Sequence, residues 1–209
     1  LSGGRRNMLP DSLPLGAIYG PNLTPAGPIA GWKDGEIVRA IREGIDNSGV
    51  PLVAMPSQSY RNLSDEDVTA LIAYLRAQPA LRHDQPRAST SIVSLILVGA
   101  GLAPTAEQPP LPGPVVAPGR GVSPGYGRYL VSIAGCADCH GAALDGIPPD
   151  PFVPAGPTLH SVRQMYVADT FVTLFRTGQT PVGQPVGEKM PWQLLGRAMS
   201  DDDLRAMHS

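Results

Sequence analysis

The residues Cys136-Ala137-Asp138-Cys139-His140 could do chemistry that no other stretch of this chain can. The two cysteines are the only ones in 209 residues, and the spacing C-x-x-C-H is the attachment signature of a c-type haem. In that chemistry each thiol adds across a haem vinyl group as a thioether. The histidine after the second thiol stands under the iron as its proximal ligand. One turn of helix brings both thiols and the imidazole to one edge and one face of the macrocycle. Other chemistries use parts of this set. A dithiol redox site would follow a strand in a βαβ pattern, and nothing strand-rich precedes Cys136. A structural zinc usually needs four ligands. His160 would have to be the fourth, at a spacing unlike that of a zinc finger. A disulfide between Cys136 and Cys139 would close a short, strained loop and leave His140 without a use.

The rest of the chain must position these groups. Net charge is −2, which excludes a nucleic-acid-binding surface. Glycine and proline number 24 each, so little regular strand and many turns are expected. A buried macrocycle would supply much of the core that such a chain lacks. Leu1 to Pro28 reads as loop. Ile37, Ile41 and Ile45 recur at four-residue spacing with Val38 beside them, which predicts an amphipathic helix within Trp32 to Gly44. A loop carrying Met55-Pro56 follows. Ser64-Asp65-Glu66-Asp67 is a capping start, Val68, Leu71, Ile72 and Leu75 continue at helical spacing, and Pro79 ends that helix.

Residues 88–106 carry no charge, with an apolar centre from Ile92 to Ala103. The run approaches a bilayer span in length, but its centre is short and holds Ser94, Gly99 and Gly101. Pro104 to Pro124 reads as a semi-extended linker. A helix over Tyr126 to Ala134 leads into the cysteine motif. Beyond it come a helix over Thr170 to Thr177, a loop with Met190-Pro191, and a final helix starting at Ser200.

Four landmarks occur twice in the same order. Gly20-Pro21-Asn22-Leu23 matches Gly156-Pro157-Thr158-Leu159, Gly44 matches Gly178, Met55-Pro56 matches Met190-Pro191, and Ser64-Asp65-Glu66-Asp67 matches Ser200-Asp201-Asp202-Asp203. The offsets are 136, 134, 135 and 136 residues, so the chain reads as two copies of one domain.

C-x-x-C-H, then G-P-x-L, a helix, an M-P loop and a C-terminal helix is an order that resembles the class I cytochromes c. The resemblance covers most of both halves except 88–124. It implies an all-α fold of two tandem domains joined by a Pro/Gly-rich linker. Residues 1–86 would be a domain without C-x-x-C-H, 87–124 the apolar segment and linker, and 125–209 the domain with the motif. It implies haem c held by Cys136 and Cys139, with His140 and Met190 as axial ligands. The carbonyl of Pro157 would accept the His140 Nδ1–H, fixing the ring. Met190 is preferred to Met165, Met199 and Met207 because it alone precedes a proline in a loop at the repeat-matched position. Met55 and Pro21 are the matching ligand and carbonyl of the first half, facing a cavity lined by Ile37, Val38, Ile41, Leu71 and Leu75. Arg176 and Trp192 either bond a haem propionate or serve as a solvated arginine and a core tryptophan. His83, His160 and His208 match no family position and read as surface or loop residues. Tyr74 and Tyr129 read as packing residues of the helix pair that closes each domain.

Leu1-Ser2-Gly3 resembles Leu144-Asp145-Gly146, which begins four residues after His140. A first C-x-x-C-H would therefore lie upstream of Leu1, and the chain is expected to be a fragment of a longer tandem protein with a second haem. The alternative is a first domain that has lost its haem. The tandem order looks like the dihaem cytochromes that serve dehydrogenases in bacteria. It implies electron transfer between redox partner proteins, a dehydrogenase subunit and a terminal acceptor among them. The place implied is periplasmic or otherwise extracytoplasmic, with membrane-surface contact through 88–106. No catalytic residue is assigned. The competing readings are a haem enzyme such as a dihaem peroxidase, and a haem-based sensor or structural domain.

Overall fold

A computed structural model describes residues 1–9, 13–102, 105–149 and 155–209. Ala103 and Pro104, where the apolar run meets the Pro/Gly-rich stretch, lie outside the described residues. Two compact units are formed, Leu1–Pro114 and Val115–Ser209. Helices dominate both. The strands among the described residues are two short ones, β1 (Gly16–Ala17) and β2 (Ser89–Thr90), paired antiparallel. This pairing is a departure from the loop expected over Leu1 to Pro28.

In the first unit, α1 (Asp34–Glu43) buries Ile37, Ala40 and Ile41. The Glu36 carboxylate accepts the Lys33 N–H at 2.7 Å and caps its start. Its end is fixed by Gly44 at φ 68°, ψ 27°, a left-handed conformation in which a Cβ would strike the Ala106 carbonyl. Ile45 therefore leaves the helical pattern and bridges to Pro51. A single turn, α2 (Ser57–Tyr60), follows Met55-Pro56 and is too short to register as periodicity. In α3 (Asp65–Arg76) the Ser64 hydroxyl accepts the Asp67 N–H at 3.0 Å. Three acidic residues in its first turn oppose the positive end of the helix dipole. Val68, Ile72 and Leu75 of α3 close one core with Ile29, Ile37 and Ile41. The last helix of the unit is α4 (Ile92–Gly99), none of whose residues is buried.

Part of the expected linker is docked. The Ala106 N–H donates to the Leu52 carbonyl and the Gln108 N–H to the Glu43 carbonyl, both at 2.8 Å. Arg61 adds bonds to the Gln108 side chain and the Pro109 carbonyl. Backbone bonds of this kind satisfy groups that a proline-rich segment cannot pair within itself.

The second unit contains α5 (Pro124–Ile133), α6 (Cys136–His140), α7 (Val162–Met165), α8 (Ala168–Thr177), α9 (Trp192–Ala198) and α10 (Asp201–His208). Ser123 caps α5, with Pro124 in its first turn. Gly127 brings α5 directly onto α10, because a Cβ there would run into the Ala206 carbonyl. The Tyr126 hydroxyl donates to Asp203 at 3.1 Å, and Tyr126 stacks on Tyr129 with ring centres 6.3 Å apart. In α10, Ser200 and Asp203 form a reciprocal capping box. Fully buried Leu204 completes a second cluster with Val172, Leu174 and Phe175 of α8. Gly178 ends α8 at φ 71°, as Gly44 ends α1.

The same local bonds recur in both units. Leu23 N–H reaches Leu1 O at 2.9 Å, and Leu159 N–H reaches Leu144 O at 2.8 Å. Gly4 N–H reaches Gly20 O at 3.0 Å, and Ile147 N–H reaches Gly156 O at 2.9 Å. Gly3 and Gly146 both turn the chain at positive φ, 93° and 96°. Leu52 N–H bonds Gly44 O, and Val186 N–H bonds Gly178 O, each closing a small loop held by one β-bridge.

Two expectations are corrected. Tyr129 is buried, but Tyr74 is exposed, because no helix of the described residues lies on its face of α3 as α5 lies on α10. His208 is half-buried rather than a surface residue. Its Nε2–H donates to the Tyr166 carbonyl at 2.7 Å, and its ring packs on Phe171. His83 and His160 are exposed.

Candidate haem-binding site

Gly135, left-handed at φ 72°, separates α5 from α6 and lets the chain turn into the cysteine motif. Cys136 and Cys139 are free, half-buried thiols on this single turn. Burial, with the charge of Asp138 adding to it, pushes the Cys136 thiol up to about 11. It is therefore neutral at physiological pH.

His140 is the buried member of the motif at 8 % exposure. Its Nδ1 lies 2.6 Å from the Pro157 carbonyl oxygen. A carbonyl only accepts, so Nδ1 carries the proton and Nε2 presents a lone pair. Gly156 makes this approach possible. A Cβ on it would stand 2.8 Å from His140 Nδ1 and 2.9 Å from the Cys139 carbonyl oxygen. The stretch of chain at 156–159 is held there by the Ile147–Gly156 and Leu159–Leu144 backbone bonds. The sequence repeat contains Gly156 without assigning it a role. Its signal is its place directly before the orienting proline, where the chain has to pass the ring.

Met190 is half-buried in the loop before α9 and packs on the Val172, Leu174, Phe175 and Leu204 cluster. Its N–H donates to Gly187 O at 2.9 Å, and its carbonyl accepts the Trp192 N–H at 2.8 Å. Met199 and Met207 pack on the same cluster, while Met165 is exposed. Trp192 joins this cluster, and its indole lies where a Cβ on Gly178 would be.

Arg176 is committed elsewhere than to a free acceptor. Its guanidinium pairs with Asp201 at 2.6 Å and donates to the carbonyls of Met199, at 2.9 Å, and Gly196. Arg42 does the same work in the first unit, pairing with Asp65 at 2.8 Å and donating to Leu63 O at 2.5 Å. Sequence reasoning does not reveal these clamps. The four-letter cap S-x-x-D hides that its first acid also serves an arginine on another helix.

In the first unit, Met55 packs on the cluster of Ile29, Ile37, Ile41, Val68, Ile72 and Leu75, with Val38 and Leu71 beside it. Pro21 is exposed, in a loop sealed by Asn22 and Thr24. Asn22 donates to Leu81 O at 2.8 Å and accepts from the Thr24 N–H and hydroxyl.

The donor set fits a haem. Among the described residues, no three of His, Cys, Asp and Glu gather as a metal site. A porphyrin brings its own four nitrogens and asks the protein only for axial ligands. Two thiols one turn apart and an imidazole fixed through Nδ1 are groups that this chemistry uses; Met190 offers a thioether from a separate loop.

No protein-family model matches the chain. It is similar to a nicotinate dehydrogenase subunit of Pseudomonas putida, 40% identical over 91 residues, which is 41% of this chain and 8% of that protein. It is similar to the fructose dehydrogenase cytochrome subunit of Gluconobacter japonicus, 33% identical over 138 residues, 62% of this chain and 28% of the relative. It is also similar to the gluconate 2-dehydrogenase cytochrome c subunit of Pantoea cypripedii, 41% identical over 69 residues, 32% and 16% of the two chains. The matched stretches thus span under a third of each relative's length.

Proposed function

We propose that this chain is an electron carrier whose second unit holds a haem c. Cys136 and Cys139 are the thioether anchors, His140 the proximal ligand and Met190 the distal one. Bound there, the haem supplies a one-electron Fe(II)/Fe(III) couple. The chain's own residues tune it. Pro157 O holds the Nδ1 proton of His140, which fixes the ring and makes Nε2 a stronger donor. The Met190 thioether would favour reduced iron and so raise the potential. Were His140 and Met190 both to hold the iron, they would keep substrate from it, which makes the protein a carrier with the catalytic chemistry in a partner.

The recurring backbone bonds and arginine clamps support a reading of both units as class I cytochrome c-like domains in tandem. On that reading Met55 and Pro21 are the distal ligand and orienting carbonyl of a second haem. The 209 residues hold one cysteine pair and hence one covalent site. A second would need another C-x-x-C-H in a longer chain. The names of the relatives support a dehydrogenase as electron donor; a respiratory acceptor and an extracytoplasmic place are what the haem c reading itself implies.

The observation that carries the proposal is the 2.6 Å His140–Pro157 contact beside the two thiols. Its test is a pair of variants of the haem-loaded protein. Met190→Ala should remove the sulfur-to-iron band of the ferric form. It should also lower the midpoint potential by on the order of 0.1–0.2 V, within the roughly 0.8 V that axial ligands command. Met165→Ala should do neither. The reverse pattern would overturn the ligand assignment. Carbon monoxide binding to the ferrous wild type would point to an open axial site and a haem enzyme instead.

A further inference from the structure

Helix α4 is turned inside out. Ile92 is 75 %, Leu95 62 % and Ile96 63 % exposed, Val93 and Val98 are also exposed, and Leu102 just beyond is 73 % exposed. Its polar side chains point the other way, into the unit. The Ser94 hydroxyl donates to Leu15 O at 2.5 Å, and the Ser91 hydroxyl, which also caps the helix, donates to Pro14 O at 2.6 Å. The β1–β2 pairing fixes the chain just before it. The helix is thus fastened by its serines, with Leu97 half-buried on their side, while its other aliphatic side chains face outward.

The form of this surface selects its occupant. A helix that docks in a protein groove offers an apolar stripe somewhat over 100° wide. Ile92, Val93, Leu95, Ile96 and Val98 spread over more than half of the circumference. No single groove covers that arc, whereas a surrounding apolar medium does. Eight residues reach about 12 Å, against about 30 Å for a hydrocarbon core. No helix of the described residues is long and apolar enough to cross a membrane. The segments adjoining the root of α4 carry Arg5, Arg6, Arg82 and Arg87, all exposed, against one described acid, Asp84. Arg5 donates to the Asp84 carbonyl, and Gln85 to the carbonyls of Ser2 and Gly20, so these segments are tied together.

We propose that α4 is an interfacial anchor that dips into a bilayer rich in anionic phospholipid, with the four arginines at headgroup level. Insertion removes the aliphatic side chains from water, and the guanidinium groups add attraction to the negative surface. The proposal is independent of the haem assignment.

Vesicle flotation with the full chain tests it. Wild type should float with phosphatidylcholine vesicles that contain phosphatidylglycerol, and less so as salt rises. The paired change L95D/I96D should cut binding at least about tenfold, with the circular dichroism spectrum unchanged because both positions are exposed. The pair R82Q/R87Q should lose part of the preference for phosphatidylglycerol over pure phosphatidylcholine, and an unchanged preference would overturn their role. Failure of wild type to float with either vesicle would overturn the proposal and leave a partner protein as the cover. Undiminished flotation of L95D/I96D would overturn α4 as the anchor. Equal binding of wild type to both vesicles would overturn the role of the arginines.

Discussion

The imidazole of His140 and the carbonyl of Pro157 are joined at 2.6 Å across seventeen residues of chain. Gly156 permits that closeness by having no side chain. Gly156→Ala should push the 156–159 segment off the ring. Haem-loaded protein should show a lowered potential and a weakened His–iron signature, with a stability loss of about 1–3 kcal/mol from overpacking. Gly119→Ala, where a Cβ meets open space, is the control and should change neither. Equal behaviour of the two variants in redox titration and thermal melts would mean that the contact does not govern the ligand.

Arg176 and Asp201 predict a structural role for a residue that sequence alone left between a haem propionate and solvent. Arg176→Ala should destabilise the second unit by about 1–2 kcal/mol, from a half-exposed ion pair and the loss of the carbonyl acceptors' partner. Asp201→Asn should show part of the same loss. Both should leave the midpoint potential nearly unmoved. A potential that shifts while the denaturation midpoint stays put would return Arg176 to a propionate. Arg42→Ala should cost more in the first unit, since that guanidinium is almost wholly buried beside Asp65 and Leu63 O.

What the sequence makes legible follows from how local each signal is. α1, α3, α5, α8 and α10 combine apolar periodicity with a cap or a glycine stop, and the expected spans match them to within a few residues. The single turns α2 and α7 and the two-turn α9 are too short to show a period, and tertiary packing decides them. The motif names the thiols and the imidazole. It cannot show that Gly156 must be bare, that Arg176 is bound to Asp201, or that Tyr74 is uncovered while Tyr129 is buried. Those facts depend on pairs distant in sequence. For α4, composition announces an apolar segment, but only the bonds of Ser91 and Ser94 to the 14–15 carbonyls reveal which way it faces.

Asp203 sets an acid limit on the second unit. Burial raises its carboxyl, but the Ser200 hydroxyl and N–H, the Tyr126 hydroxyl and the Arg120 charge outweigh this and hold it below the ordinary carboxylate value. The folded form therefore prefers the ionised group more strongly than the unfolded chain does. The resulting stability is fully present above the unfolded value of about 4 and is lost as pH falls through the lower folded value. Asp203→Asn should be less stable than wild type at neutral pH, and the gap should close as pH drops below about 4. Tyr126→Phe should narrow the wild-type pH dependence in the same window. Urea midpoints at several pH values decide this, and a gap that stays constant down to low pH would remove Asp203 from the acid response.

Ala206 and Ala70 occupy matching places three residues after the capped aspartates Asp203 and Asp67, yet their surroundings differ completely. Ala206 is 1 % exposed, with the backbone of Gly127 against its carbonyl. Ala70 is exposed, as are Ala73 and Tyr74 on the same face of α3. A larger side chain at 206 has to part α5 from α10, breaking the Tyr126–Asp203 bond as it does so. Ala206→Leu should therefore cost about 1–3 kcal/mol, and Gly127→Ala should act at the same crossing. Ala70→Leu meets only water and should stay within about 0.5 kcal/mol of wild type. Domain-resolved hydrogen exchange would separate the two units. Loss of protection in α5 and α10 for Ala206→Leu, with α1 and α3 untouched by Ala70→Leu, is the expected result. A comparable loss from Ala70→Leu would show that its face of α3 is covered in solution, and a helix lying there would then have to be sought.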